Sequence, residues 1–100
     1  MKVGYKLFRV RRDGTLGSLF INRRAVYPIG EWMKCEIHPT KGYALRPFWH
    51  TTSQPNAPHL TNKGRRWYIV EMKGVTEQRR PESQGGLWYL AEWIRIVEAV

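Results

Sequence analysis

An Asp-Gly dipeptide between two strand-forming runs is the feature that most constrains how this chain of 100 residues folds. Asp13-Gly14 favours a tight hairpin turn, so residues 5–12 and 15–21 are predicted to be antiparallel strands. If the turn has two residues, Val10 faces Gly17. Alternation then assigns one set of apolar side chains to the core: Phe8, Val10, Leu19 and Ile21. The opposite face would hold a mixture of arginine and apolar groups, namely Leu7, Arg9, Arg11, Leu16, Ser18 and Phe20.

The remaining segments predict an α+β fold with a mainly antiparallel sheet in a single domain, residues 1–100. A short strand is expected at 31–37 and a clear strand at 66–72, followed by a break at Lys73-Gly74 and a continuation over 75–79 as a bulged or edge strand. Residues 38–63 contain four prolines and all three histidines, and they indicate one long ordered loop. In 87–100, Ala, Leu and Glu favour a short helix to about Glu92, and the alternation after it favours a last strand.

Charge is the main compositional indication of function. Lysine and arginine number 17 against 8 acidic residues, which gives a formal net charge of +9. Such an excess indicates a polyanionic partner, meaning nucleic acid, an acidic protein or anionic lipid. A charged surface that serves only solubility is the alternative. The single cysteine argues against a disulfide-held secreted scaffold, and no apolar run is long enough to span a membrane. We therefore expect a soluble, cytoplasmic protein that does not bind membranes.

Four Arg-Arg pairs occur at predicted strand ends, at positions 11–12, 23–24, 65–66 and 79–80. Guanidinium binds phosphate in a bidentate manner, and aromatic rings beside arginines can stack on bases. Trp49 is predicted to be exposed, whereas Trp32, Trp67 and Trp88 are predicted to be structural. The candidate partner-binding residues are Arg9, Arg11, Arg12, Arg23, Arg24, Arg46, Trp49, His50, Arg65 and Arg66. The alternative for the pairs is a set of solvated strand ends that prevent aggregation.

The sequence gives little support for a metal site or for common catalytic chemistry. Cys35 and His38 have a spacing seen in zinc sites, but His50 and His59 complete no standard pattern. The only aspartate, Asp13, is used in a turn, and the glutamates are scattered. We therefore predict no metal and no cofactor, and favour a binding protein over an enzyme. A histidine general base in the 38–63 loop stays open. The oligomeric state is expected to be a monomer or a small homo-oligomer.

Five segments together resemble a family of small proteins that tailed bacteriophages and prophages encode. These segments are DGTLGSLFI (13–21), HPTKG (38–42), RPFWH (46–50), APHL (57–60) and PESQGG (81–86). The resemblance implies a phage accessory protein that acts in the cytoplasm of an infected bacterium. Its partner would be nucleic acid or a host nucleoprotein. A second hypothesis is an inhibitor of a host defence nuclease, of the anti-CRISPR kind.

A fainter similarity is to the ADP-ribosyltransferase-like fold. The segment LFRV (7–10) resembles the first strand of that fold, which carries an arginine that binds NAD. WHTTS (49–53) is similar to its aromatic-x-Ser-Thr-Ser segment, with a threonine in place of the first serine. This similarity implies an NAD-using enzyme in which Arg9, Thr52 and Glu71 are the catalytic residues.

Overall fold

The computed structural model shows a small antiparallel β-structure. It describes residues 2–17, 26–35, 48–57, 60–61 and 63–100. The strands are β1 (Lys2–Val10), β2 (Leu16–Gly17), β3 (Trp32–Lys34), β4 (Trp49–Thr52), β5 (Arg65–Arg79) and β6 (Leu87–Ala99). A 3-10 turn, Glu82–Gln84, connects β5 to β6. The described part of the chain contains no α-helix, so the predicted α+β class is wrong.

Four of the strands form a closed ring. β1 pairs with β5, β5 with β6, β6 with β4, and β4 returns to β1 through Tyr5 and Thr52. All of these pairs are antiparallel. β2 pairs with β1 and β3 pairs with β6, and these two short strands extend the sheet beyond the ring. The result is a small barrel with an inner and an outer face.

The longest strand, β5, bends in its middle. Its 15 residues would extend about 46 Å if straight, whereas the longest dimension of the molecule is 34 Å. Gly74 lies between the two halves with φ +63°, a value that glycine adopts without strain. Met72 and Val75 both face the interior cluster, so the inward-facing register changes at this point. Lys73-Gly74, predicted to break the strand, therefore bends it.

The barrel interior is a single hydrophobic cluster. Its buried members are Phe8, Leu16, Tyr68, Val70, Met72, Tyr89, Ala91, Ile94 and Ile96. β1 approaches this cluster closely at Gly4, where an added Cβ would lie 2.8 Å from Met72 Cε and 2.9 Å from the Thr52 carbonyl oxygen. Glycine is therefore the residue that lets β1 close the ring.

A second cluster covers the outer face of β1. It contains Leu7, Ala57, Trp67 and Trp88, with Tyr5 and Leu60 packed against it. β1 is thus buried on both faces, and the predicted structural roles of Trp67 and Trp88 are confirmed. The predicted 38–63 loop is wrong in part, because residues 49–52 form β4. Residues 38–47, 58, 59 and 62 lie outside the described residues.

Residues 87–92, predicted as a helix, belong to β6. Ala91 pairs with Val75 on one side and with Trp49 on the other, so this segment hydrogen-bonds to two strands. Trp88 and Tyr89 are both buried, in the outer and inner clusters respectively, as the alternation of a strand requires. These ladders override the helix propensity of Leu90 and Glu92.

The N-terminal hairpin forms, but in a different register from the one expected. Val10 pairs with Leu16, not with Gly17. The Arg11 amide donates to the Thr15 carbonyl (3.0 Å), which leaves three residues in the turn, and Gly14 has φ +85°. A three-residue loop that ends in a left-handed glycine is a common hairpin type. This one-residue shift in register places Leu16, which was predicted on the opposite face, inside the barrel. Leu19 and Ile21, which were predicted in the core, lie outside the described residues.

Candidate anion-binding surface

Two Arg-Arg pairs meet at one end of the β1–β5 ladder. Arg9 lies directly opposite Arg65, and Phe8 lies opposite Arg66. The Val10 amide donates to the Gly64 carbonyl (2.9 Å), which holds the start of β5 against the hairpin. We call this surface the basic end and define it by six residues: Arg9, Arg11, Arg12, Lys63, Arg65 and Arg66.

Arg11 joins Arg9 on the same face through the hairpin. Its Nη1 donates to the Leu16 carbonyl (3.1 Å). Its guanidinium lies over Gly17, where an added Cβ would be 2.5 Å from Nη2. Gly17 in turn pairs with Arg9. Because Arg9 is opposite Arg65, the three arginines form one row across β2, β1 and β5.

Local hydrogen bonds hold the basic end in place. Arg65 Nη1 donates to the Thr61 carbonyl (3.2 Å). In the turn, Asp13 accepts hydrogen bonds from the Thr15 hydroxyl (2.7 Å) and amide (3.0 Å), which lower the pKa of the Asp13 carboxyl. Like charges directly opposite each other on a sheet destabilise the pair. The basic end therefore concentrates positive charge at a cost to the isolated fold.

The other predicted binding residues do not all join this surface. Arg23, Arg24 and Arg46 lie outside the described residues. The Arg-Arg pair at 79–80, which was not among the predicted binding residues, lies at the opposite end of β5. Trp49 is not the exposed ring that the sequence predicts. It is half-buried, packs edge-on against Tyr27 with 5.3 Å between centroids, and donates from Nε1 to the Met33 carbonyl (3.1 Å).

His50 belongs to a separate basic cluster beside the junction of β1 and β4. Arg80 Nη2 lies 2.8 Å from His50 Nδ1, and the Arg80 guanidinium lies 4.1 Å from the centroid of the Trp88 ring. Because arginine can only donate, Nδ1 is the acceptor and the ring hydrogen is on Nε2. Lys6 donates to the His50 carbonyl (2.8 Å). Burial, and then the charge of Arg80, lower the pKa of Lys6 to about 8.

Sequence reasoning did not identify Lys6. The signal is nevertheless present, because Lys6 alternates with Gly4, Phe8 and Val10 on the inward-facing side of β1. A lysine at an inward position of an otherwise apolar strand face is unusual and indicates a specific partner.

The residues that the ADP-ribosyltransferase similarity implies are not brought together. Arg9 pairs with Arg65 and Glu71 pairs with Val3, which places Arg9 and Glu71 six positions, about 20 Å, apart along the ladder. Glu71 forms an ion pair with Arg95. The Thr52 hydroxyl lies within hydrogen-bond distance of the carbonyl oxygens of Tyr5 and Gln54, which share its one hydrogen.

No three His, Cys, Asp or Glu side chains converge on a metal-sized site within the part of the chain that the structure describes. His38 and His59 lie outside it. The described residues also include no helix long and apolar enough to cross a membrane. In comparisons with known proteins, no family model, curated protein or solved structure matches the chain.

Proposed function

We propose that this protein is a binding protein whose basic end engages the phosphate backbone of a nucleic acid. The observation that supports this most directly is the register of β1 and β5, which sets Arg9 opposite Arg65. The row is extended by Arg11, whose guanidinium lies over Gly17 of β2, and flanked by Arg12 and Arg66, both exposed. Five guanidinium groups on one end form a surface that fits several phosphates.

The chemistry of this surface favours contacts that do not depend on base sequence. Guanidinium binds phosphate oxygens in a bidentate manner, and binding releases the counterions that surround the polyanion. The nearby aromatic residues Phe8 and Trp67 are buried, at 1% and 9% exposure, so they offer no ring for stacking. Binding through the basic end should therefore be sensitive to salt and tolerant of sequence.

The resemblance to phage proteins supports an accessory role in the cytoplasm of an infected bacterium. The partner there would be free nucleic acid or the nucleic acid of a host nucleoprotein. An inhibitor of a host defence nuclease would instead recognise a protein, and would act by occluding the nucleic-acid channel of that nuclease or by competing for it.

The test is fluorescence anisotropy with a labelled duplex of about 20 base pairs across about 50 to 200 mM salt. We expect log affinity to fall linearly with log salt. A lack of binding at the lowest salt concentration would overturn the proposal. Persistent capture of one host protein from a nuclease-treated lysate, with no duplex binding, would favour the inhibitor instead.

A matched pair of variants assigns the binding to the basic end. Arg9→Gln and Arg79→Gln each remove one exposed guanidinium from a strand, the first beside the start of β5 and the second at its other end. Arg9→Gln should reduce the salt slope by about 1 and weaken binding several-fold. Arg79→Gln should leave the slope unchanged. Equal effects of the two variants would mean that the net charge, and not the basic end, drives binding.

A further inference from the structure

The outer face of β3, β6 and β5 carries tryptophans and cations in alternating positions. In one row across these strands, Trp32 lies opposite Arg95, which lies opposite Glu71. In the next outward-facing row, Lys34 lies opposite Trp93, which lies opposite Lys73. We call these six residues the tryptophan face. It is distinct from the basic end, because Arg65 is eight residues from Lys73 along β5.

The cations of this face lie against the indole rings. Lys73 Nζ is 4.0 Å from the centroid of the Trp32 ring, and Arg95 Cζ is 5.3 Å from the same centroid. Lys34 Nζ is 6.0 Å from the centroid of Trp93. Both tryptophans are half-buried, whereas Lys34 and Lys73 are exposed. The rings are therefore fixed by the sheet and still reached by solvent.

The charges of the face leave an excess of positive charge. Glu71 accepts a hydrogen bond from Arg95 Nε (2.7 Å), and Glu92 lies 3.9 Å from Lys34. Among the residues that the structure describes, no carboxylate lies within ion-pair distance of Lys73; its ammonium lies against the Trp32 ring. The face thus combines two aromatic surfaces with a cation whose charge is unmatched.

The two tryptophans lie close enough together for neighbouring bases to reach both. Trp93 is two residues from Arg95, the cross-strand partner of Trp32, so the tryptophans are diagonal neighbours whose Cα atoms lie about 7–8 Å apart. Single-stranded nucleic acids are held by aromatic platforms for the bases beside cations for the phosphates. In a duplex the base faces are already stacked on one another and are not available to an indole.

We propose that the tryptophan face binds single-stranded nucleic acid: the exposed Lys34 and Lys73 leave the indole faces to contact phosphates, and bases stack on Trp32 and Trp93 in their place. This is a second site, with its own chemistry, beyond the phosphate contacts of the basic end. The tryptophan face binds strands whose bases are unpaired and accessible.

The experiment compares two labelled strands of about 12 nucleotides at low salt, oligothymidine and an abasic strand of the same length. The abasic strand keeps the phosphates and has no bases to stack. The wild-type protein should bind oligothymidine more tightly than the abasic strand. Equal affinities would overturn the proposal, whatever any variant does.

Variants then locate the stacking. Trp93→Leu should weaken oligothymidine binding by roughly 5- to 150-fold, the range for loss of one stacked base, and leave the abasic strand unaffected. Trp93→Phe keeps an aromatic face and should retain most of the preference. If Trp93→Leu does not fold, as judged by its circular dichroism and thermal melt, Trp93→Phe and Lys73→Gln replace it. Lys73→Gln should weaken both strands by a similar factor.

The two proposals can fail separately. Arg9→Gln acts on the basic end, which binds the phosphates of both strands, so it should not lower the ratio of oligothymidine to abasic affinity. Loss of duplex binding with that ratio intact would contradict the proposed function alone. A ratio of one, with duplex binding intact, would contradict the tryptophan face alone.

Discussion

Lys6 on β1 donates a hydrogen bond from Nζ to the carbonyl oxygen of His50 on β4, over 2.8 Å. Among the described residues, β1 and β4 are paired in the ladder at Tyr5 and Thr52. The Lys6 ammonium therefore supplies, from a side chain, a contact that backbone pairing does not make at this junction. The Thr52 hydroxyl, which lies 3.3 Å from the Tyr5 carbonyl oxygen, adds a second side-chain contact to the closure of the ring.

The position of Lys6 predicts a pH-dependent stability. Burial lowers the pKa of Lys6 from 10.5 to about 8, so the folded protein holds fewer protons than the unfolded chain between these values. The free energy of unfolding should therefore rise with pH across this window. Below pH 8 Lys6 is charged in the folded protein, so the whole free-energy cost of burying that charge is subtracted from the stability.

Urea unfolding of wild type and Lys6→Met from below pH 8 to pH 10.5 measures this effect. Across this range the free energy of unfolding of wild type should rise by about 1–3 kcal/mol relative to that of Lys6→Met. The lower value allows for screening by solvent, because Lys6 is half-buried. Parallel pH profiles would show that the pKa of Lys6 is ordinary.

Two glycines should differ sharply in their tolerance of alanine. A Cβ at Gly4 meets the Thr52 backbone oxygen at 2.9 Å, and backbone cannot move aside cheaply. A Cβ at Gly17 meets the end of the flexible Arg11 side chain. Gly4→Ala should thus lower the free energy of unfolding by about 1–3 kcal/mol, and Gly17→Ala by less. Chemical denaturation ranks them, and the reverse order would contradict the close approach of β1.

The ion pair between Glu71 and Arg95 should make a measurable contribution to stability. The Glu71 side chain is 23% exposed and that of Arg95 is 37% exposed, so solvent screens the pair only in part. A double-mutant cycle with Glu71→Gln and Arg95→Gln should give a coupling free energy of about 1 kcal/mol. A coupling near zero would mean that the two side chains are held by their neighbours and not by each other.

The turn at Asp13 should be visible in its titration. Hydrogen bonds from the Thr15 hydroxyl and amide lower the pKa of Asp13, so its contribution to stability is present at neutral pH and is lost as pH falls through that pKa. In an NMR titration, Thr15→Val should raise the pKa of Asp13 toward its ordinary value. Thr15→Ser keeps the hydroxyl and should keep the pKa low. Identical values in both variants would contradict the role of the hydroxyl.

Local patterns in the sequence predicted the strands better than their register. Asp13-Gly14 indicated the hairpin correctly, because the turn preference is local. It did not indicate that Gly14 takes a left-handed conformation in a three-residue turn, and this choice moved Leu16 to the inner face. The strands predicted at 66–72 and 75–79 were confirmed, but they form one strand because Gly74 bends β5 without ending it.

The errors share a physical origin in contacts between distant segments. Residues 87–92 favour a helix in isolation, and only pairing with both β5 and β4 makes them a strand. Trp49 was expected to be the exposed tryptophan, but β4 turns it toward Tyr27 and Met33. Arg9 and Arg65 are 56 positions apart in the sequence, so their pairing depends on a strand order that no local pattern records.

Because β1, β5, β6 and β4 are joined in a ring, no member can detach without breaking hydrogen bonds along both of its edges. We therefore expect slow, cooperative deuterium uptake at interior amides such as those of Val70 and Ile94. A scaffold of this kind is stiff on the timescale of molecular encounters. Any change of shape on binding would then occur in the partner, and a flexible polymer can conform to a rigid surface.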